Sequence, residues 1–336
     1  MITKILTTAP ARIDLAGGTL DIYPIYIFEG GAITINAAVN LYSEVELQTR
    51  TDTTIEIISE DLNQSLIVEN VSELQPGGAL DLIVRIIAFY RPDSGITVRT
   101  RNNVPKGSGL GASSALLIAL SHALNELLGK TYTPNEIIDI GANLEASSIR
   151  VPTGKQDYYS ATYGGINGIW FQLNGIKLEP LGRDAEIVKH LESHIILSYT
   201  GASRFSGTSN WNMMKAYIDD VEGAVEKFRR IKETALAMRS CLVEKQINDF
   251  PYLLAQEWEN RKALAAGVTT PRIDELISAA QAAGAMASKI CGAGGGGCMI
   301  TYASPDVREN VERALTQHGA KIIPFRIPGE GVKVTV

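Results

Sequence analysis

Cysteine, histidine and long apolar runs are all scarce in this chain of 336 residues. Its three cysteines form no CxxC spacing, and its four histidines form no HExxH-type pair. These absences argue against a disulfide framework and against a structural zinc site. No apolar run approaches the ~20 residues of a membrane span, and the first residues lack the long apolar region of a secretory signal. We therefore expect a cytoplasmic protein with no membrane partner.

Positive charge is also in the minority. The chain carries 31 basic and 37 acidic side chains, for a net charge of -6 and a pI of about 5.4. This balance disfavours nucleic acid as a partner, because binding to its phosphates depends on lysine and arginine. Apolar residues make up 45% and charged residues 20% of the chain, as in ordinary globular proteins. The length suits two domains of roughly 100–200 residues each.

What the sequence does contain is a mixture of strand and helix patterns in both halves. Apolar and polar residues alternate in short stretches such as 43–49 and 95–101, which predicts strands. A helix is predicted at 113–128, and the region 211–266 is mostly helical. Glycine, asparagine and proline cluster at 175–190, which predicts a boundary there. The fold class is therefore α+β with two lobes.

Glycine is the residue in slight excess, and the segment 104–115, VPKGSGLGASSA, is its most informative location. Gly107, Gly109 and Gly111 allow backbone N–H groups to approach a ligand closely. The helix that begins near Ser113 adds unpaired N–H groups and a positive dipole end, which suit a phosphate. The alternative is a glycine-rich turn with a serine cap. The segment matches neither GxxxxGK[ST] nor GxGxxG, because Gly111 comes one residue too early for the latter.

A second glycine-rich segment, 291–298, reads CGAGGGGC. Five of its six central positions are glycine, which is costly in conformational entropy for an ordinary turn. A loop that must wrap closely around a ligand explains this composition. A flexible turn remains the alternative interpretation.

Two further segments supply charged side chains. Arg12 and Asp14 lie in a strand-like run, and Asp21 follows shortly after a pair of glycines. Taken alone, Asp14 is typical of a solvated strand face. Glu145 lies on a predicted helix, and Asp157 lies in the loop that follows it. Two carboxylates brought together in this way can divide the work, one holding a metal ion and one facing a hydroxyl group.

In their order and separation, these four segments resemble the GHMP small-molecule kinase superfamily, named for its galactokinase, homoserine, mevalonate and phosphomevalonate kinase members. The resemblance covers nearly the whole chain and is most specific at 104–115 and 291–298. It implies an N-terminal ribosomal-S5-like α+β domain, residues 1–185, and a C-terminal ferredoxin-like domain, residues 186–336. It also implies that ATP binds between these domains, over the 104–115 loop, and that its terminal phosphoryl group is transferred to an alcohol group.

The resemblance also implies roles for individual residues. Asp157 matches the catalytic aspartate that accepts or orients the proton of the substrate hydroxyl, and Arg12 matches the cation that stabilises the developing negative charge. Ser114 and Glu145 match the Mg²⁺ ligands. The residues that match the ATP site are Pro105, Gly107, Ser108, Gly109, Leu110, Gly111, Ala112, Ser113 and Ser114. The third motif, which steadies the ATP loop and closes the site, is matched by Gly292, Gly294, Gly295 and Gly296.

Within the superfamily, the chain most resembles the heptose 7-phosphate kinase branch of the sugar anomeric kinases. The resemblance rests on the patterns around Gly17, Gly18 and Asp21, on Gly-Lys-Gln-Asp at 154–157 and on Tyr-Gly-Gly at 163–165. It implies a sugar or sugar-phosphate substrate, with Gly17, Gly18 and Asp21 at the sugar. Arg204, in a Ser-rich segment, is a further candidate for an anionic substrate group, with an ordinary loop as the alternative.

One departure leaves the substrate open. The heptose kinase branch reads Gly-Gly-Gly-Thr-Asp where this chain has Gly-Gly-Thr-Leu-Asp at 17–21. We therefore expect Leu20 to place an apolar side chain near the sugar pocket. A mevalonate-type alcohol kinase and a non-catalytic, kinase-like sugar sensor remain as alternatives. Trp211 and the charged helices beyond it leave open a homodimer face, with a solvated surface as the other interpretation.

Overall fold

The computed structural model describes residues 3–105, 107–182, 184–202 and 206–336, with the backbone alone at 206–209. Its strands are β1 (Lys4–Ala16), β2 (Ala32–Thr49), β3 (Ile55–Ser59), β4 (Gln64–Val68), β5 (Ile96–Asn102), β6 (Ile166–Gln172), β7 (Gly175–Pro180), β8 (Ile195–Tyr199), β9 (Ala287–Ile290), β10 (Cys298–Tyr302), β11 (Lys321–Ile322) and β12 (Lys333–Thr335). Its helices are α1 (Ile25–Phe28), α2 (Asp81–Tyr90), α3 (Ala112–Leu127), α4 (Pro134–Ile149), α5 (Gln156–Tyr163), α6 (Ala185–His194), α7 (Ser206–Ile218), α8 (Ala224–Val243), α9 (Phe250–Lys262), α10 (Pro271–Ala282) and α11 (Arg308–Gln317).

Two of the helices that matter for the site begin at capping residues that the sequence supplies. Thr133 and Glu136 form a capping box, in which each side chain accepts a hydrogen bond from the other residue's backbone N–H. Pro134 occupies the first position of α4, where a missing N–H group costs nothing. At α10, the Thr270 hydroxyl accepts a hydrogen bond of 3.3 Å from the backbone N–H of Ile273, and Pro271 again occupies the start of the helix. Local sequence therefore fixes where these helices begin.

The first lobe is built on an eight-stranded sheet. Its main path runs β12-β1-β2-β5-β3-β4, and β6 pairs with the other part of β2 and with β7. The β3–β5 pair is parallel, whereas the other neighbours are antiparallel. Helices α2 to α5 cover this sheet and bury a shared apolar core. Because β12 pairs with β1, residues 333–335 complete the sheet of the first lobe, so the predicted division at 185/186 does not hold for the last strand.

The second lobe is built on an antiparallel four-stranded sheet in the order β11-β8-β10-β9. Helices α10 and α11 pack beside it, and α9 packs on β9. Helices α8 and α9 also contact β1, and a continuous apolar core that includes Ile13, Met238 and Ile300 joins the two lobes. The predicted α+β class with two lobes is confirmed.

Two sequence-based expectations near the site are wrong. Asp157 does not lie in a loop, because residues 156–163 form α5, which ends at Gly164. Leu20 does not face the sugar pocket, because its side chain is fully buried in the core of the second lobe with Met213 and Phe228.

In the region that the structure describes, none of the helices has the length and apolar character needed to cross a membrane.

Candidate active site

A cleft of about 470 Å³ opens where the two lobes meet. Both glycine-rich segments border it, together with Arg12, Asp21, Glu145 and Asp157. The lining includes Arg12, Thr19, Asp21, Ile22, residues 107–114, Glu145, Thr153, Gly154, Gln156, Asp157, Arg261, Cys291, Gly292, Ala293, Gly294 and Gly296. Residues from distant parts of the chain thus converge on one space of a size that suits a small ligand.

The first glycine-rich loop leads directly into α3. Gly111 adopts φ +73° as the residue before the helix, and the first turn of α3 contains no acidic side chain. The helix therefore presents unpaired N–H groups and the positive end of its dipole toward the cleft, where residues 112–114 lie. This arrangement suits a phosphate group.

The two glycine-rich loops are in direct contact. The backbone N–H of Cys298 donates to the carbonyl of Ser108 at 2.6 Å. A Cβ atom at Gly109, where φ is +71°, would lie 2.5 Å from the carbonyl oxygen of Cys291, and a Cβ atom at Gly297 would meet the carbonyl of Ser108 at the same distance. Close packing therefore explains most of the glycines of 291–298, since Gly292 and Gly297 pack on the first loop, Gly294 on Val268 and Gly296 on the carbonyl of Ala202.

Arg12 and Asp157 form an ion pair inside the cleft. Both Nε and Nη2 of Arg12 lie 2.7 Å from Oδ1 of Asp157, and Nη1 donates to the carbonyl of Gly109 at 2.5 Å. Burial raises the pKa of Asp157, although Arg12 partly offsets this effect. Burial opposes the charge of Arg12, but Asp157 and Asp14 hold its pKa above the ordinary value. The guanidinium is therefore charged, and it fixes one oxygen of a carboxylate that has a raised proton affinity.

Glu145 lies at the junction of three helices. Its carboxylate accepts hydrogen bonds from Ser113 and Ser114 of α3 and from Tyr158 of α5, and the bond from Ser114 is 2.9 Å long. Burial raises the pKa of this carboxyl group. A buried carboxylate beside two hydroxyl groups fits Mg²⁺, which uses one or two protein carboxylates and takes its other ligands from phosphates and water. The described residues contain no group of three or more His, Cys, Asp and Glu side chains that could hold a metal ion alone.

Asp21 also lines the cleft, beside Gly154 and Gln156. It is 3% exposed, and its Oδ2 atom accepts a hydrogen bond of 3.0 Å from the backbone N–H of Gln156. Burial raises its pKa to about 6, and the nearby Asp157 and Asp14 carboxylates add to the effect. Gly154 lies so close that an added Cβ atom would be 2.0 Å from Asp21 Oδ2.

We expect Gly154→Ala to displace the Asp21 carboxylate, because the added Cβ atom would lie 2.0 Å from its Oδ2 atom and 2.5 Å from its Cγ atom. Overpacking of this kind costs about 1–3 kcal/mol of stability. If Asp21 contacts the acceptor, KM for the acceptor rises more than KM for ATP, and steady-state kinetics with each substrate varied measures both. Gly329→Ala is the matched control, because an added Cβ atom there meets nothing within 4 Å. An unchanged acceptor KM in Gly154→Ala would contradict the prediction.

Sequence reasoning missed a cluster of buried charges behind the cleft. The Lys289 ammonium lies 3.2 Å from an Asp14 oxygen and 3.9 Å from Glu257, and Arg261 lies 4.0 Å from Glu257. Lys289 also donates to the carbonyl of Asp14 at 2.9 Å. Burial opposes the ionisation of Asp14, but Lys289, Arg261 and Arg12 hold its pKa below the ordinary value. The i,i+4 spacing of Glu257 and Arg261 was the available signal, although it is equally typical of a solvated helix face.

Arg261 connects this cluster to the cleft. It donates to the carbonyl of Gly18 at 2.9 Å and to that of Gly292 at 2.6 Å, so it joins the first-lobe turn to the second glycine-rich loop. A Cβ atom at Gly18 would lie 2.8 Å from Nη1 of Arg261. Gly17 and Gly18 therefore pack on the charged cluster and are not among the residues that line the cleft, and their place at the sugar stays a prediction.

Two other predicted site residues are not among those that line the cleft, and a third lies outside the described residues. Pro105 and Gly295 do not line it, although their neighbours in the two loops do. Gly295 instead donates its N–H to the carbonyl of Val268 at 2.7 Å. Arg204 lies outside the described residues, so its place at an anionic substrate group stays a prediction.

Comparisons with known proteins agree with this arrangement. The model of the GHMP kinases N terminal domain matches residues 78–165, and that of the GHMP kinases C terminal matches residues 238–321, which together make up just over half of the chain. The chain is 29% identical to D-glycero-alpha-D-manno-heptose 7-phosphate kinase of Campylobacter jejuni over 98% of both chains. It is 27% identical to the mevalonate kinase of Thermococcus sibiricus, again over 98% of both chains.

A solved structure is similar over its full length. The D-glycero-D-manno-heptose 1-phosphate kinase from Bacteroides thetaiotaomicron superposes with a TM-score of 0.80 at 29% identity, and the match covers 99% of both chains. Sequence motifs, fold and the two family models thus agree. The chain belongs to the GHMP kinase superfamily and is an ATP-dependent kinase that transfers phosphate to an alcohol group.

Proposed function

We propose that this kinase uses ATP and Mg²⁺ to phosphorylate a sugar or sugar phosphate at its anomeric hydroxyl, as a heptose 7-phosphate kinase does. The observation that carries the proposal is the Arg12–Asp157 ion pair, which faces the same cleft as the phosphate-binding start of α3 and as Asp21. The heptose 7-phosphate kinase of Campylobacter jejuni and the heptose 1-phosphate kinase from Bacteroides thetaiotaomicron support the choice of a sugar.

In the proposed reaction, the acceptor hydroxyl loses its proton to Asp157 while its oxygen bonds to the γ-phosphorus of ATP. The bond between that phosphorus and the bridging oxygen breaks, and ADP leaves. Both contacts of Arg12 fall on Oδ1 of Asp157, which leaves Oδ2 to accept the proton. Arg12 and the N–H groups at the start of α3 stabilise the charge on the transferred phosphoryl group.

The contacts of Glu145 with Ser113 and Ser114 support a metal site. We propose that Ser114 and Glu145 hold Mg²⁺, which neutralises charge on the phosphate oxygens when bound. Ser113 and the glycines at 107, 109 and 111 hold the triphosphate. Asp21 accepts hydrogen bonds from hydroxyl groups of the acceptor, which suits a polyhydroxylated sugar.

A mevalonate-type alcohol kinase is the second candidate, and the similarity to the mevalonate kinase of Thermococcus sibiricus favours it. Leu20 does not, because it is buried away from the cleft. This segment lines the cleft with Thr19, Asp21 and Ile22, and the polar groups of the first two suit a sugar better than an apolar alcohol chain.

The test is a panel of sugars, sugar phosphates and mevalonate with Mg-ATP, followed by ATP consumption. Phosphorus NMR of the product then identifies the phosphorylated position. We expect turnover with a sugar or sugar phosphate and a product resonance at the anomeric position. Turnover with mevalonate alone would overturn the sugar assignment, and ligand binding without transfer would instead support a sensor.

A further inference from the structure

Tyr158 donates a hydrogen bond to Glu145 from behind the candidate metal site. Its side chain is 0% exposed and does not line the cleft, whereas Ser113, Ser114 and Glu145 all do. The two serine hydroxyls face the space where a cation and the phosphates would lie, so their bonds to Glu145 are open to exchange. The bond from Tyr158 is shielded from that space. It therefore persists whichever ligands enter the cleft.

Tyr158 bonds to the same carboxylate oxygen, Oε2, as Ser114. A carboxylate held from behind by a buried donor keeps one orientation, since rotation would break that bond. A fixed orientation favours a cation ligand that is ready before the ion arrives.

The position of Tyr158 on α5 links two functions. It follows Asp157 directly, and consecutive helix side chains diverge by about 100°, so one turn presents Asp157 to Arg12 and Tyr158 to Glu145. The start of α5 therefore sets the separation between the carboxylate that receives the proton and the carboxylate that holds the ion.

We propose that Tyr158 is a positioning residue for the metal site, acting through Glu145 to fix Mg²⁺ relative to Asp157. This inference rests on the proposed function. Removal of a hydrogen-bond partner of a metal ligand typically costs about 10–100-fold in metal affinity or activity. We expect a loss of that size for Tyr158→Phe, with metal binding affected as well as turnover.

The experiment measures Mn²⁺ binding through the enhancement of water-proton relaxation, at a saturating concentration of a non-hydrolysable ATP analogue and with no acceptor. Tyr159→Phe is the matched control, because Tyr159 is the next buried tyrosine of α5 and stacks on Tyr163 instead. We expect Tyr158→Phe to weaken Mn²⁺ binding about tenfold or more, whereas Tyr159→Phe binds like the wild type.

Each outcome has one meaning. Equal Mn²⁺ affinity in Tyr158→Phe and the wild type would overturn the inference, as would an equal loss in Tyr159→Phe. Failure of the wild type to bind Mn²⁺ with the analogue would instead overturn the proposed metal site. If Tyr158→Phe does not fold, the wild type labelled with 3-fluorotyrosine replaces it. Mn²⁺ broadens the fluorine resonances of the tyrosines nearest to it. Because Tyr158 bonds to a ligand of the ion, a resonance in this group must also shift when Mg²⁺ and the analogue bind. The absence of any such shift would refute the proposal.

Discussion

Asp157→Asn is expected to lower kcat by about 10²–10⁴-fold, the usual contribution of a general base. The amide can keep its oxygen toward Arg12, so the change removes proton acceptance with little loss of packing. We therefore expect the melting temperature and the affinity for Mg-ATP to stay close to those of the wild type. The measurement is kcat with the best acceptor of the panel, together with nucleotide binding by calorimetry.

Asp139→Asn is the control for this experiment. Asp139 is an exposed aspartate whose ion pair with Lys155 is 2.5 Å long, and it belongs to α4 rather than to the cleft. It should keep the kcat of the wild type. Near-normal turnover by Asp157→Asn would show that the proton of the acceptor goes elsewhere and would remove Asp157 from the mechanism.

Arg12→Ala is expected to lower kcat by about 10²–10³-fold, as is typical when one preorganised charge stabiliser is lost. The change also leaves Asp157 without its partner and opens a space beside Gly109, because the guanidinium contacts both. Burial then raises the pKa of Asp157 without opposition from Arg12. We therefore expect the pH at which turnover is half-maximal to rise, since Asp157 must be ionised to accept a proton.

Arg12→Lys separates charge from geometry. Lysine keeps the positive charge but cannot donate to Asp157 and Gly109 with the planar fork of arginine. We expect its kcat to lie between those of the wild type and Arg12→Ala, and its pH profile to stay close to that of the wild type. Identical kinetics for Arg12→Ala and the exposed-site control Arg99→Ala would contradict a role for Arg12.

The sequence predicted the parts of the site that depend on local backbone chemistry. The run at 104–115 could be recognised because closely spaced glycines followed by serines have few structural explanations. The start of α3 lies where this pattern indicates. The predicted strands at 43–49 and 95–101 likewise fall within or beside β2 and β5, because alternation is a direct consequence of burying one sheet face.

The parts that could not be predicted depend on contacts between distant segments. Residues 156–163 are polar and aromatic with no strong helical periodicity, so α5 was missed, and its packing against α3 and β1 stabilises it. The burial of Lys289 had no local sign, because its partners Asp14 and Glu257 come from other elements, and the only local sign for Glu257 was its ambiguous i,i+4 spacing to Arg261. Leu20 was misplaced since sequence spacing alone does not tell which side of a turn faces a cleft.

The buried charge cluster also bears on recombination between relatives. The first lobe contributes Asp14, whereas the second contributes Glu257, Arg261 and Lys289, so neither lobe is electrically balanced at their shared surface. A chimera that joins the first lobe of this kinase to the second lobe of a relative without Lys289 would bury an unmatched carboxylate, at a cost of several kcal/mol. Lobes are therefore exchangeable only between sequences that carry matching charges at these four positions, and shuffled libraries should be filtered on them first.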